Sequence, residues 1–546
     1  MNNQRNKDLL LNLTGVFLLA VILLPAIWMF TGKQVVRPLD GAFVKSDKPN
    51  PRKFTYSGWF DGSFQSQFEN SVNDHIGFHD FLVRFHNSLN YHLFESINAE
   101  GVIKGKQNQL FEYDYIRAME GEDFLGEKIL DRQIRRLRFL QKELKKYNTN
   151  LFLVFEPSKT RYFSELLPER YNVAHDNPVN YSVMLELCSK YDLDFIDLNA
   201  FFLQEKNRHE YPLYPQYGTH WSIYGMFQAM DTLTAFLRSE TEISVPRFEI
   251  TRIDETTLPR ATDFDLGYLL NLLKNPKCEI MGYPRAEVKV EEGSQKPKVL
   301  AVGDSYYLNI LNNRDLKELF SGHHFWYYNK HAYPDQYAKE SLVADLDIKK
   351  ELIEADIVLV TVTERFLYKN LWGFADDAFA AFSPVSASEP FVQAVNQVLS
   401  TDGWFSELID DAKRMNMTLG ELLEYHADYL VYQQDKDAYR RYHGPLALEK
   451  AIRADEKWFA LVKEKAEKKG ISVDEAVTAD ANYVFKNNYP DIFEEWQYKT
   501  NVRQQMLNDP QWLSDITAKA RERYLTLEEM IELDADYLWS IRKSEN

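Results

Sequence analysis

At 546 residues the chain is too long for one ordinary hydrophobic core, so two or more domains are expected. A hydrophobic share of 45% and a charged share of 27% belong to a folded protein and exclude a disordered one. The formal net charge of −18 excludes a general nucleic-acid binder, which needs a basic face for phosphates; a glycan partner stays open.

The run from Leu9 to Phe30 carries no charge. As a helix it would span about 33 Å, enough to cross a hydrocarbon core. It ends Ala26-Ile27-Trp28-Met29-Phe30 without the small-residue pattern of a cleavage site, which favours an uncleaved transmembrane signal-anchor over residues 9–30. Arg5 and Lys7 precede it and Lys33 and Arg37 follow, so charge alone does not orient it. A short inner tail with the bulk outside is the simpler topology. Residues 31–100 read as a juxtamembrane region. It begins with a polar linker holding Pro38, Pro49 and Pro51, followed by an aromatic stretch from Phe54 to about Phe94, expected as short helices packed on the body. His75 and His79 stand there at helical spacing with no acidic or thiolate partner at a ligand interval, so no metal site is expected.

Beyond residue 101 helices and strands alternate. Leu125, Ile129, Leu130, Ile134, Leu137 and Leu144 form a helical stripe, and Leu151 to Phe155 is an unbroken apolar run of strand length. A helix near 180–191 leads to a strand at Leu193 to Leu198. Further strands are expected at Val299–Val302, Phe325–Tyr328 and Ile357–Val360. Short apolar runs between helical segments predict an α/β body: a parallel sheet with helices on both faces. Functional residues in such a sheet sit just past the carboxyl ends of the strands. Cys188 and Cys278, the two cysteines, lie in no metal-ligand spacing and read as structural.

The C-terminal part, residues 400–546, reads as all-α. Trp404, Trp458 and Trp512 recur every 54 residues, as do Ala412, Ala466 and Ala520, and Tyr429, Tyr483 and Tyr537. Thr418 with Glu421, Ser472 with Glu475, and Thr526 with Glu529 repeat a capping-box pattern in the same phase. Three helical repeats are expected, each a helix, a turn and a second capped helix that share a buried stripe. The tryptophans could serve as sugar platforms, but fixed placement within a repeat is better explained by packing.

The third predicted strand runs into Gly303-Asp304-Ser305-Tyr306-Tyr307 and a helical segment. A serine on a strand-to-helix turn is placed as a nucleophile, because neighbouring amides and the helix N-terminus can stabilise an oxyanion. Gly303 lets the turn close and Asp304 braces it. Such a serine needs a base. His220, in Tyr217-Gly218-Thr219-His220-Trp221, is the best candidate, whereas His323 and His324 open a strand. Asp197 and Glu156, at predicted strand ends, are candidates for an acid that orients the histidine ring; a serine–histidine dyad is the alternative. Lys159, Tyr306, Tyr328 and Arg365 sit near strand ends and could line a glycan groove.

The GDS turn, the upstream THW loop and Glu156-Pro157-Ser158-Lys159 together resemble the alginate O-acetylation proteins of the AlgX/AlgJ type, in the SGNH-hydrolase superfamily. Trp59-Phe60-Asp61-Gly62, Gly101-Val102-Ile103-Lys104-Gly105 and Thr363-Glu364-Arg365 extend the resemblance over roughly residues 55 to 370. It implies an SGNH-like acyltransferase domain over residues 101–373, with Ser305 as nucleophile and His220 as general base. It also implies acetyl transfer onto a secreted polysaccharide, with acetyl delivered by a separate multi-spanning membrane acyltransferase, and no cofactor. The family pattern has an aspartate two residues before the histidine, where this chain has Gly218.

The expected function is therefore an O-acetyltransferase that moves acetyl through a serine ester onto an extracytoplasmic polysaccharide. The chain would be anchored by a single pass in a bacterial inner membrane with its bulk in the periplasm or extracytoplasmic space. A glycan acetyl-esterase and a non-catalytic scaffold of an envelope glycan assembly are the alternatives, the second because of Gly218.

Overall fold

A computed structural model describes residues 2–29, 36–41, 54–171, 177–291, 295–333, 341–383, 390–401, 403–415 and 417–545. Phe30, Lys33, Pro49 and Pro51, which bear on the anchor and linker expectations, lie outside the described residues.

The strands are, in chain order, β1 (Val102–Lys104), β2 (Leu110–Glu112), β3 (Asn150–Glu156), β4 (Phe195–Asp197), β5 (Arg247–Thr256), β6 (Met281–Lys289), β7 (Lys298–Gly303), β8 (Ser321–Tyr327), β9 (His331–Tyr333), β10 (Ser341–Leu342) and β11 (Ile357–Thr363). One sheet has the order β10-β9-β8-β7-β11-β3-β4. Its centre is parallel, as the apolar runs predict. Alternate residues face opposite layers. Leu151, Leu153, Phe155, Val358 and Val360 pack with the helices Glu127–Lys145 and Asn180–Lys190; Phe152, Val154, Ala301, Ile357 and Leu359 pack with the helix Ile223–Glu240. Burial on both faces is why these strands are apolar throughout.

Two features depart from an all-parallel reading. β8 reverses through Tyr328 and Asn329, both in left-handed backbone (φ 53° and 51°), so β9 returns antiparallel to it, and β10 pairs antiparallel with β9. Such a tight turn leaves no room for the crossover helix that a parallel return needs. Separately, β5 and β6 form an antiparallel ribbon outside the main sheet. β5 is largely exposed and rich in charge, so it has none of the apolar periodicity that marks a strand in sequence.

At the N-terminus, α1 (Asn2–Met29) contains Leu11–Met29, long and apolar enough to cross a membrane by length and composition. It is followed by α2 (Tyr56–Phe60), α3 (Ser63–His75) and α4 (His79–Leu93). α4 meets the body through its polar side: Arg84 donates to the carbonyls of Leu272 (3.2 Å) and Pro38 (2.6 Å), and Asn87 to that of Leu270 (3.1 Å).

The chain past residue 390 is helical. Its helices include the pairs Trp404–Met415 and Leu419–Gln434, Glu456–Lys469 and Val473–Asn488, and Pro510–Glu522 and Leu527–Glu545. Each pair is preceded by a further helix, Pro390–Ser400, Pro445–Ala454 and Pro490–Asn508, which the sequence pattern did not mark. In all three cases the hydroxyl of the capping residue accepts the amide three residues on, and the glutamate there accepts the cap's own amide. The Trp404 indole donates to His426 (3.3 Å) and that of Trp458 to Asp480 (2.9 Å), so both rings are packed by partners of their own unit.

Candidate active site

β7 ends in Gly303 and turns at Asp304 into the helix Ser305–Asn312. A Cβ on Gly303 would overlap the Thr361 hydroxyl of neighbouring β11, so the strand can close only with glycine there. Asp304 is fully buried. One of its oxygens accepts the Tyr306 amide (2.9 Å), capping the helix; the other accepts the amide (3.1 Å) and hydroxyl (2.7 Å) of Thr363 at the end of β11. The turn is thus tied to two strands, and Ser305 is held at its tip.

His220 reaches that tip from the loop before the helix Ile223–Glu240, whose N-cap Ser222 accepts the Gly225 amide at 2.8 Å. The Ser305 hydroxyl lies 2.8 Å from His220 Nε2, and His220 Nδ1 lies 2.6 Å from Asp265 Oδ2. A carboxylate at Nδ1 accepts that ring proton, which leaves Nε2 to accept from the serine. The three residues form an unbroken Ser305–His220–Asp265 relay. Asp265 is fixed in turn: its other oxygen accepts the amides of Thr219 (2.8 Å) and Leu266 (2.7 Å).

The acid behind the ring is therefore neither of the two that the sequence nominated. Asp197 caps the helix Leu198–Gln204 and accepts the Tyr181 hydroxyl at 2.7 Å. Glu156 is buried near the turn, where burial and then the nearby Asp304 charge push its carboxyl well above the usual range. Asp265 lies between β5 and β6, in a segment with no sequence motif. The trace it left is Gly218: a Cβ there would come 2.5 Å from the Thr262 carbonyl. The backbone that delivers Asp265 fills the space where a side chain at position 218 would start.

Two further groups hold the histidine loop. Lys159 is buried and donates to the carbonyls of Pro215 (2.6 Å), Gln216 (3.1 Å) and Gly218 (2.7 Å). Burial pulls its pKa down to about 7, and the Asp265 charge pulls the other way. The three carbonyls also match the three N–H donors of an ammonium. Glu112 accepts the Thr219 hydroxyl at 2.7 Å and pairs with Arg365, whose guanidinium lies over the rings of Tyr115 and Phe366. Tyr306 is fully buried and donates to the Thr219 carbonyl at 2.9 Å.

These positions correct the glycan-groove expectation. Lys159 and Tyr306 are enclosed and committed to the histidine loop, and Arg365 is buried against Glu112. Tyr328 alone of the four is part-exposed, with its ring among Tyr327, Phe366 and Trp372.

Residues 102–312 match the family model described as SGNH hydrolase-like domain, acetyltransferase AlgX. Among solved structures, the O-acetyltransferase domain of Pseudomonas putida AlgJ is 19% identical with a TM-score of 0.34, over 49% of this chain and 92% of that one. Pseudomonas aeruginosa AlgX is 16% identical with a TM-score of 0.34, over 49% of this chain and 67% of its own. Bacillus cereus PatB1 is 12% identical with a TM-score of 0.33, over 49% and 96%. No curated protein matches the sequence.

Proposed function

We infer function from the premise that residues 102–312 belong to the AlgX family of SGNH hydrolase-like domains. On that footing the chain is an O-acetyltransferase that acts through an ester on Ser305. The observation that carries this reading is the Ser305–His220–Asp265 relay at 2.8 and 2.6 Å.

In the first half-reaction His220 Nε2 takes the proton of Ser305 as its oxygen attacks the acetyl carbonyl. Asp265 stabilises the imidazolium that results. The Tyr306 amide is held by Asp304, so in this reading the developing oxyanion is stabilised by the remaining polarity of the helix N-terminus at Ser305. Collapse expels the donor group, which takes the proton from His220, and leaves acetyl-Ser305. In the second half-reaction His220 deprotonates an acceptor hydroxyl, which attacks the ester; on collapse the Ser305 oxygen leaves and takes that proton back from His220. The acceptor in this reading is a hydroxyl of an extracytoplasmic polysaccharide, and acetyl arrives from a multi-spanning membrane acyltransferase. Tyr328 is the residue we place at the sugar.

Residues 9–30 would anchor the chain in the inner membrane, residues 101–373 would carry the chemistry, and three helical repeats within 400–546 would present a docking surface. Ser305→Ala should lower acetyl ester formation on purified glycan by at least about 10³-fold while the protein stays folded. Unchanged acetylation in that variant removes Ser305 from the mechanism.

A further inference from the structure

α4 is inside out. Over residues 81 to 94 its one charged side chain, Arg84, is 2% exposed, and Asp80, Asn87 and Tyr91 are also buried. Leu82, Phe85, Leu89 and Leu93 recur at spacings of three, four and four, which places them on one helix face, and all are exposed, Leu93 at 67%. Phe94, just past the end of the helix, is exposed as well. A helix facing water on that side would carry lysine, arginine or carboxylates there; this one carries none, and its polar members at that side, His86 and Asn90, are bonded to each other at 2.9 Å.

The stripe begins where α1 ends. The Gly77 amide donates to the Pro25 carbonyl at 2.9 Å, and Phe78 stacks on Trp28 at 4.9 Å between ring centres. Pro25 and Trp28 lie in the last turns of the apolar helix, so α4 starts within a few ångströms of its end. α2 and α3 add a second apolar patch nearby in the chain. Phe54 packs edge to face on Phe64 and at a tilt on Trp59, and Tyr56 and Phe60 are about four-fifths exposed beside them. Tryptophan and tyrosine at the end of a membrane span, beside an uncharged apolar helix face, are the chemistry of the lipid headgroup boundary.

We propose that the apolar face of α4 and the aromatic residues of α2 and α3 lie in the outer lipid interface, so that the body is held against the bilayer as well as tethered to it. This rests on the reading of Leu11–Met29 as a membrane span. The occupant is lipid rather than a second copy of the chain because the face continues directly from the end of that span.

The test uses the full chain, with Cys278→Ser to limit background labelling, in vesicles of phosphatidylethanolamine and phosphatidylglycerol. An environment-sensitive fluorophore is placed at Leu89→Cys, at Leu19→Cys in the span, and at Glu464→Cys on a distant helix. Nitroxide lipids should quench the probes at positions 19 and 89 severalfold more than the probe at 464. Quenching at 19 with a position 89 that behaves like 464 puts the face in water and overturns the proposal. A probe at 89 that is shielded from water yet unquenched by lipid, and that cross-links to another chain, overturns it in favour of a protein occupant. Loss of quenching at 19 overturns the span reading itself.

Discussion

The body and the helices beyond residue 390 are held together in opposite ways. In the body the residues that meet come from distant parts of the chain: His220 and Ser305 are 85 positions apart, and Asp265 is 45 from His220. Past residue 390 the recurrent bonds are local: each capping pair spans three positions, and Trp458 reaches Asp480 over 22. Local order is carried by a short stretch and can be copied along a chain. Convergent order exists only when the whole sheet is formed. A substitution in the body should therefore act at a distance, while one in the C-terminal helices should stay where it is made.

The sharpest test of that contrast is Asp265→Asn. It keeps the shape but removes the charge that fixes the ring tautomer, and should lower transfer by about 10³–10⁴-fold. Asp197→Asn, at one of the two acids nominated from the sequence, should leave transfer within a few-fold in the same assay. An equal loss in both would place the working acid elsewhere.

Next is His323, which donates to or accepts from the Tyr307 hydroxyl at 2.7 Å and whose pKa is pushed down to about 4 by burial. The folded protein keeps this ring neutral while the unfolded chain takes up a proton near 6.5. The unfolded state thus binds more protons between those values, and stability falls as pH drops from about 6.5 to 4, by at most about 3 kcal/mol. Urea midpoints across that range should show the slope, and His323→Gln should flatten it.

Gly218→Ala comes third. Its methyl would press on the backbone at Thr262, so a cost of about 1–3 kcal/mol in denaturation, with reduced transfer, is expected. Smallest is Ser472→Ala, which removes one cap and should cost about 1 kcal/mol with transfer unchanged. A large loss of transfer in that variant would break the division between the two regions.

The same contrast explains what could be read from the sequence. The central strands stand out because burial on both faces leaves them apolar, and the C-terminal helices because their caps and tryptophans recur in phase. Strand β5 is hard to see because an exposed strand needs no apolar period. Ser305 and His220 each sit in a recognisable turn, so each can be nominated alone. Asp265 cannot, since its role depends on a loop folding back over Gly218. A missing acid in a motif that otherwise holds together was the clue to seek one elsewhere in space.

The polar side of α4 gives that displaced acid an unusual dependence. Arg84 and Asn87 grip the carbonyls of Leu272 and Leu270, and Asn271 exchanges hydrogen bonds with the backbone of Asp40, all within seven residues of Asp265. The stretch that would be cut away to obtain a soluble protein is thus also the buttress of the loop that carries the acid. A shortened chain beginning near residue 100 would keep its serine and histidine and lose the support of the third member. Low turnover in such a fragment would measure a missing wall, not a weak enzyme.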